Sequence, residues 1–390
     1  MKKIYVIAGE PSGDLLGSRL MRAMKKKLGN NVAFYGVGGE TMEQEGLKSL
    51  FDIADLSIMG LMEIIPSIPK VLRHLKNTIA DIERVKPDVV VTIDSWSFCS
   101  RVHKALRKKK LGIPQVHYVA PQVWAWKKKR AQTMYKYIDH LLTLFPYEPK
   151  YFTPYHLATD FVGHPVIESE AMHASAESFC KKFGVSADKR VVTILPGSRK
   201  TEVAKLLPVF LEAAQKLEEK YKNLVFVLPT VRTVAPLVKE MLKESKLSVI
   251  MTETQHDRYD AFQASDVAIA ASGTVALELA IIGVPHIIGY KVSAFSAFLA
   301  KKFLKIEFVN LSNILLGREI IPELLQERCV SGNIFRYVDG LLQKDDLFER
   351  QMQGFEKVRS LLGLGEQTPS ENACDVILKV IEDKRMHEVH

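Results

Sequence analysis

The sequence predicts an α/β protein built of two Rossmann-like, doubly wound domains in tandem. Three observations carry that expectation. Short apolar runs alternate with amphipathic stretches along most of the chain. The layout of strand, glycine turn and helix occurs at 2–28 and again at 190–222. The chain has 390 residues, more than a single core usually spans.

In chain order, KKIYVIA (2–8) reads as a short buried strand and GEPSGD as a turn. LLGSRLMRAMKKKL then reads as a helix whose basic residues fall in its last turns, where they complement the dipole. Strands follow at NVAFYGVG (31–38), PDVVVTID (87–94), PQVHYVA (114–120) and HLLTLF (140–145). RVVTI (190–194) restarts the pattern, and LVFVLPT (224–230), LSVIMT (247–252), DVAIAAS (266–272) and PHIIGY (285–290) continue it. Buried parallel strands are near-continuously apolar, as VVVTI and VAIAA are. GHPVIES (163–169) breaks the pattern, so the first domain is expected over 1–165 and the second over 166–345. Residues 346–390 are charged and helical with a break at GLGEQTP, and are expected to cross back onto the first domain.

The net charge of +9 is unevenly placed. Residues 1–165 hold 25 Lys and Arg against 15 Asp and Glu, and the remainder 29 against 30. The first half therefore meets something acidic, or carries solvated basic helices. The four cysteines lie far apart with no CxxC, which argues against a disulfide framework or a zinc site and fits a reducing compartment. IYVIAG near the start is too short for a signal h-region, and no run reaches the roughly 18 apolar residues of a membrane span. The expectation is a cytosolic protein, soluble or bound only at a membrane surface.

Two glycine turns carry the chemistry. Pro196, Gly197, Ser198 and Arg199 sit between a strand and a helix, where bare N–H groups and the dipole favour an anion and Arg199 adds a fork for phosphate oxygens. No GK[ST] follows and no GxGxxG is present, so neither an ATPase loop nor a dinucleotide fingerprint fits. Ser272, Gly273 and Thr274 form a second such turn after DVAIAA, with Glu278 one helical turn on, placed for a ribose diol. The competing reading is a capped helix, with Glu278 as dipole complement. Two cradles in one domain favour a diphosphate-plus-ribose ligand, with Glu202 serving the helix start. Ligands in such sheets sit at the carboxyl ends of the strands.

AGEPSGD (8–14), GVGG (36–39), GLMEII (60–65), YVAPQVWAWKKKR (118–130), FPYEPKYF (145–152), VGHP (162–165), LPGSRKTEV (195–203), ASGTVALE (271–278) and NLSNILLGREIIPELLQ (310–326) occur in this order. As a set they resemble the lipid-A-disaccharide synthases along nearly the whole chain. One stretch departs: the family usually follows its mid-domain Asp with Ala-Pro-Asp-Phe-Asn, whereas Asp94 is followed here by Ser-Trp-Ser-Phe-Cys. The resemblance implies a two-domain glycosyltransferase fold of the GT-B type, with a cleft between the domains. It implies transfer of the sugar of UDP-2,3-diacylglucosamine to the 6-hydroxyl of 2,3-diacylglucosamine 1-phosphate, with inversion, giving a β-1,6 disaccharide and UDP. No cofactor or metal is expected, in keeping with the lack of a DxD pair.

Inversion needs one base, and Asp94 at the end of VVVTI is the choice, against an N-cap role for the following helix. Charge on the departing UDP falls to Arg199 and the Ser272–Thr274 turn, with Lys291 a weaker candidate. Asn310, Asn313 and Gln326 match a polar family segment, Asn313 being assigned to the UDP-sugar and loop-capping amides being the alternative. The acceptor is expected at Glu10, Ser12, Gly13 and Asp14, with Met59 and Glu63; a plain strand-to-helix turn competes. Ile58, Met62, Ile65 and Ile68 read as a face for acyl chains or as ordinary core. Trp124, Trp126, Lys127, Lys128, Lys129 and Arg130 read as an anchor for an anionic membrane surface, expected on the cytoplasmic face of the inner membrane. In the resembled family the last helix packs on its own first domain or, in a swapped homodimer, on a partner's. The rivals are a UDP-N-acetylglucosamine 2-epimerase or murein-precursor transferase and, from another class, a basic nucleic-acid-binding protein. Against the latter, the basic runs belong to no recognised RNA or DNA module.

Overall fold

The computed structural model describes residues 1–56, 61–123, 128–292, 307–365 and 367–389, with 61–68, 128 and 387–389 as backbone only. Ile58, Met59, Trp124, Trp126 and Lys127 lie outside the described residues, as do the side chains of Met62, Glu63, Ile65, Ile68 and Lys128. The chain forms two compact units, one of residues 1–165 with 362–390 and one of residues 166–361.

The first unit winds on one parallel sheet ordered β2-β1-β3-β4-β5-β6. These strands are β1 Lys2–Ala8, β2 Val32–Val37, β3 Val89–Ile93, β4 Gln115–Tyr118, β5 His140–Thr143 and β6 Ala158–Phe161. Alternation along β1 sets the two layers. Ile4, Val6 and Ala8 face a core with Leu16, Leu20 and Met24, while Tyr5 and Ile7 face Ile79, Ile82, Phe98 and Val102. The order reverses between β1 and β3, so their carboxyl ends flank the switch point, where open α/β sheets leave a crevice.

The second unit repeats the plan as β12-β11-β10-β7-β8-β9, also parallel. Its strands are β7 Arg190–Leu195, β8 Leu224–Pro229, β9 Val249–Thr252, β10 Ser265–Ala270, β11 His286–Tyr290 and β12 Glu323–Leu325. Here the switch point lies between β7 and β10, where Ala271 N donates to Leu195 O at 2.8 Å. The expected doubly wound α/β class is what the chain adopts. Two edge strands, β6 and β12, were not expected; the first alternates exposed and half-buried residues and the second is three residues long, so neither shows an apolar run.

The C-terminal helices divide differently from expectation. Asp346–Leu361 stays with the second unit, because Gln351 exchanges hydrogen bonds with the backbone of His286, donating to its O and accepting from its N, both at 2.9 Å. Phe355 stacks on the His286 ring and Arg359 Nε donates to Ile281 O at 2.6 Å. Only Pro369–Val389 joins the first unit, where Ala373, Cys374, Ile377, Leu378 and Ile381 complete the core beside Leu20 and Met24. Each such buried Ile or Leu contributes roughly 1.5–3 kcal/mol.

Candidate functional site

Both glycine turns of the second unit open onto one pocket of about 310 Å³ at the β7/β10 switch point. Gly197, Ser198, Ser272, Gly273 and Thr274 line it, with Glu202, Thr230, Arg258 and Glu278. Gly197 has φ +107°, which strains any L side chain, and a Cβ there would stand 2.6 Å from Glu202 Oε2 and displace that carboxylate. The helices Lys200–Lys220 and Thr274–Ile282 start at this pocket, and neither start is capped by a side-chain hydrogen bond. Their leading N–H groups are therefore left for a ligand, and the dipoles favour an anionic one. The capped-helix reading of Ser272 and Thr274 does not hold; Ser272 Oγ instead donates to Val309 O at 3.4 Å.

Arg199 is exposed beside the pocket and pairs with Glu202 at 3.0 Å, and Tyr290 Oη donates to the same Glu202 oxygen at 3.3 Å. Glu202 is thus a member of the pocket wall as well as a residue of the first helical turn. Glu278 sits deeper. Arg258 Nη2 lies 3.2 Å from each of its oxygens, and Tyr259 Oη donates to Oε1 at 3.2 Å. Burial pushes the Glu278 carboxyl up, with Arg258 and Tyr259 opposing.

At the β1/β3 switch point of the first unit, Ser95 Oγ donates to Glu10 Oε1 at 3.3 Å. Asp94 and Ser95 are both left-handed, at φ +53° and +42°, and Val119, at the neighbouring exit of β4, has φ +80°. Three non-glycine residues in this region at adjacent strand ends are a concentration of backbone strain of the kind that accompanies function. A Cβ on Gly9 would meet Ser95 Oγ at 2.5 Å, so the two strand exits touch. Asp94 is half-buried and its Oδ1 accepts from Ser95 N at 2.7 Å, whereas no side chain caps the helix Trp96–Lys109. Ser12 is exposed at the start of Pro11–Leu28, and Gly13 is buried where that helix crosses Ile93.

Two assigned residues are committed elsewhere. Asp14 is buried and its oxygens accept from Gly39 N (2.7 Å), Thr41 N (2.9 Å), Thr41 Oγ1 (2.7 Å) and Met42 N (3.1 Å). It clamps the turn after β2 and has no lone pair to offer a sugar. Asn313 is fully buried: Oδ1 accepts from Ile320 N and Ile321 N, and Nδ2 donates to Ile321 O and Glu323 Oε1. Asn310 caps Leu311–Leu316 and its backbone N donates to Glu323 Oε1, so the amides of this segment hold the loop. Lys291 and Gln326 are half-buried beyond β11 and β12 and are not part of the pocket wall. Lys129 is exposed and Arg130 half-buried. Arg258, Tyr259 and Thr230 are pocket-side residues that no motif announced.

The family model described as lipid-A-disaccharide synthetase matches residues 4–377. A lipid-A-disaccharide synthase of Paramagnetospirillum magneticum is 46% identical over 380 residues, covering 97% of each chain. One of Rhodospirillum centenum is 44% identical over 378 residues, covering 97% of this chain and 94% of the relative. Among solved structures, a UDP-GlcNAc 2-epimerase of Neisseria meningitidis bound to UDP-GlcNAc superposes with TM-score 0.63 at 13% identity, over 98% of this chain and 100% of that one. MurG of Acinetobacter baumannii superposes at 0.58 and 15%, over 97% and 100%. At such identities the structures speak for the fold, which is of the GT-B type, and the sequence relatives speak for the family. The chain belongs to the lipid-A-disaccharide synthase family of glycosyltransferases.

Proposed function

We propose that this chain joins the sugar of UDP-2,3-diacylglucosamine to the 6-hydroxyl of 2,3-diacylglucosamine 1-phosphate, releasing UDP, and that the two switch points divide the work. The observation that carries the reading is the pair of uncapped helix starts and one half-buried carboxylate converging on a single pocket. Gly197, Ser198 and Arg199 hold one end of the pyrophosphate and Ser272, Gly273 and Thr274 the other, so charge developing on the departing UDP meets fixed N–H groups that need not reorganise. Glu278 accepts from the ribose. Asp94 takes the proton of the acceptor hydroxyl, and Glu10 and Ser12 orient the acceptor sugar.

Mass spectrometry of the product made from the two acylated glucosamine substrates tests the reaction. Asp94→Ala is expected to lower turnover by about 10²-fold or more with the fold intact by circular dichroism. A near-normal rate would remove Asp94 as the base, and acceptance of plain UDP-GlcNAc with no acyl requirement would favour the epimerase or murein-precursor reading.

The reading extends to a peripheral site on the cytoplasmic face of the membrane. No helix among the described residues is long and apolar enough to cross one. Support comes from the basic first half and from exposed Lys129, Tyr135 and Lys136. Flotation with anionic vesicles should succeed at low salt and weaken as salt rises; absence of binding at low salt would refute it.

A further inference from the structure

We propose that Arg258 is a positioning residue of the nucleotide pocket: it holds the Glu278 carboxylate ionised, so that the carboxylate accepts, rather than donates, the hydrogen bond to a ligand hydroxyl. The inference rests on the nucleotide reading above and adds to it a residue and a protonation state.

The geometry is specific. Arg258 Nη2 stands equally far, 3.2 Å, from Oε1 and Oε2, astride the carboxylate. Tyr259 Oη takes a further lone pair of Oε1. Since a carboxylate offers about four acceptor directions, the open one belongs to Oε2, on a side chain that lines the pocket. The guanidinium is itself fixed, lying over the Tyr259 ring at 4.7 Å and the Phe262 ring at 5.6 Å. Burial raises the Glu278 carboxyl, and Arg258 is the cation that opposes it.

The charged groups around Glu278 can be counted from each side. Arg258 comes from the helix Gln255–Gln263, together with the Tyr259 hydroxyl. Across the pocket stands Glu202, already paired with Arg199. The turn Glu170–His173 and the helix Asp346–Leu361 also pack against the helix bearing Glu278; the first carries Glu170 and His173, and the second carries Arg359, which is bonded to Ile281 O and paired with Glu356. Asp257 and Asp260 on the Arg258 helix are turned away, to Lys182 and to Ser175 N. Arg258 is therefore the cation bonded to Glu278 among the described residues.

The test is UDP binding by titration calorimetry between pH 5.5 and 8.5, in the full chain, for wild type, Arg258→Gln, Arg258→Lys and Glu278→Gln. UDP's own ionisation is common to all four and cancels in the ratio of variant to wild type. In Arg258→Gln the Glu278 carboxyl loses its cation and protonates at higher pH, so the ratio should be near one at pH 8.5 and fall by about tenfold toward pH 5.5. Arg258→Lys should restore most of the loss, and Glu278→Gln should be weak at every pH. An Arg258→Gln deficit of equal size at all pH values would overturn the proposal, since it would mean direct ligand contact or plain packing. An unchanged affinity at every pH would overturn it too. If wild type fails to bind UDP, the nucleotide reading falls and this inference with it, an outcome distinct from the other two. Should the glutamine variant fail to fold, Glu278→Gln carries the test: its deficit against wild type should stay constant down to pH 5.5 if the wild-type carboxylate is held ionised, and a deficit that shrinks toward pH 5.5 would overturn the proposal.

Discussion

Replacing Gly197 with alanine separates the pocket from the fold. At φ +107° the backbone is one that L-residues avoid, and holding alanine there costs roughly 1–2 kcal/mol. The new methyl would also stand 2.6 Å from Glu202 Oε2 and 3.0 Å from Glu202 Cβ. Glu202 can yield only by turning from Arg199, 3.0 Å away, and from Tyr290, 3.3 Å away. These partly exposed contacts are worth about 0.5–1 kcal/mol each. The total, about 2–4 kcal/mol, is below the roughly 5–15 kcal/mol that holds a domain together. The protein should fold, with a lowered urea midpoint. Because the strained turn is also the proposed phosphate cradle, UDP affinity should fall by about tenfold or more, each tenfold being 1.4 kcal/mol. Adding Glu202→Ala removes the carboxylate clash, though not the 3.0 Å approach to Cβ, and should recover some stability while leaving the backbone part in place. Calorimetry and urea unfolding on the same samples decide. If stability falls as expected while UDP binds as before, the Pro196–Arg199 turn is not where the pyrophosphate rests.

Two further outcomes follow from buried groups. Asp14→Ala leaves the N–H groups of Gly39, Thr41 and Met42 without their acceptor, at about 1–3 kcal/mol for each group that stays buried; the midpoint should drop sharply while UDP affinity holds, and normal stability with a lost acceptor KM would return Asp14 to the substrate. Burial holds His103 and His286 down at about 4 and His164 at about 3, with His117 also well below its ordinary 6.5. The unfolded chain takes up protons near pH 6.5 while the folded one does not, so stability is full above about 6.5 and is lost as pH falls toward 4, at about 1.4 kcal/mol per pH unit for each such histidine. Urea midpoints that stay level between pH 7 and 5 would contradict this.

Most of the fold could be read because buried parallel strands write themselves as apolar runs. VVTIL and VVVTI have no polar face to confuse the pattern. The glycine turns were legible for a related reason: Gly197 must take a conformation that other residues resist, and it stands between a strand and a helix. What stayed hidden depends on partners far along the chain. Asp14 and Asn313 look like ligands in isolation, and only the folded turns at 39–42 and 320–323 use up their hydrogen bonds. Arg258 lies in TQHDRYDAF, a polar helix with no stripe to read, and meets Glu278 only because the topology sets their two helices side by side. Gln351 shows the same limit. An amphipathic pattern says that a helix packs, and not on which unit.

The discontinuous first unit has a consequence for biosynthesis. Ala373, Cys374, Ile377, Leu378 and Ile381 fill a core whose other walls come from the first 165 residues. A ribosome adding about 5–20 residues per second needs roughly 11–45 s to supply the rest of the chain. Throughout that interval the core around Leu20 and Met24 lacks the apolar side chains that Pro369–Val389 supplies, while residues 166–361 form a unit of their own. The later-encoded body can therefore close before the earlier one is complete.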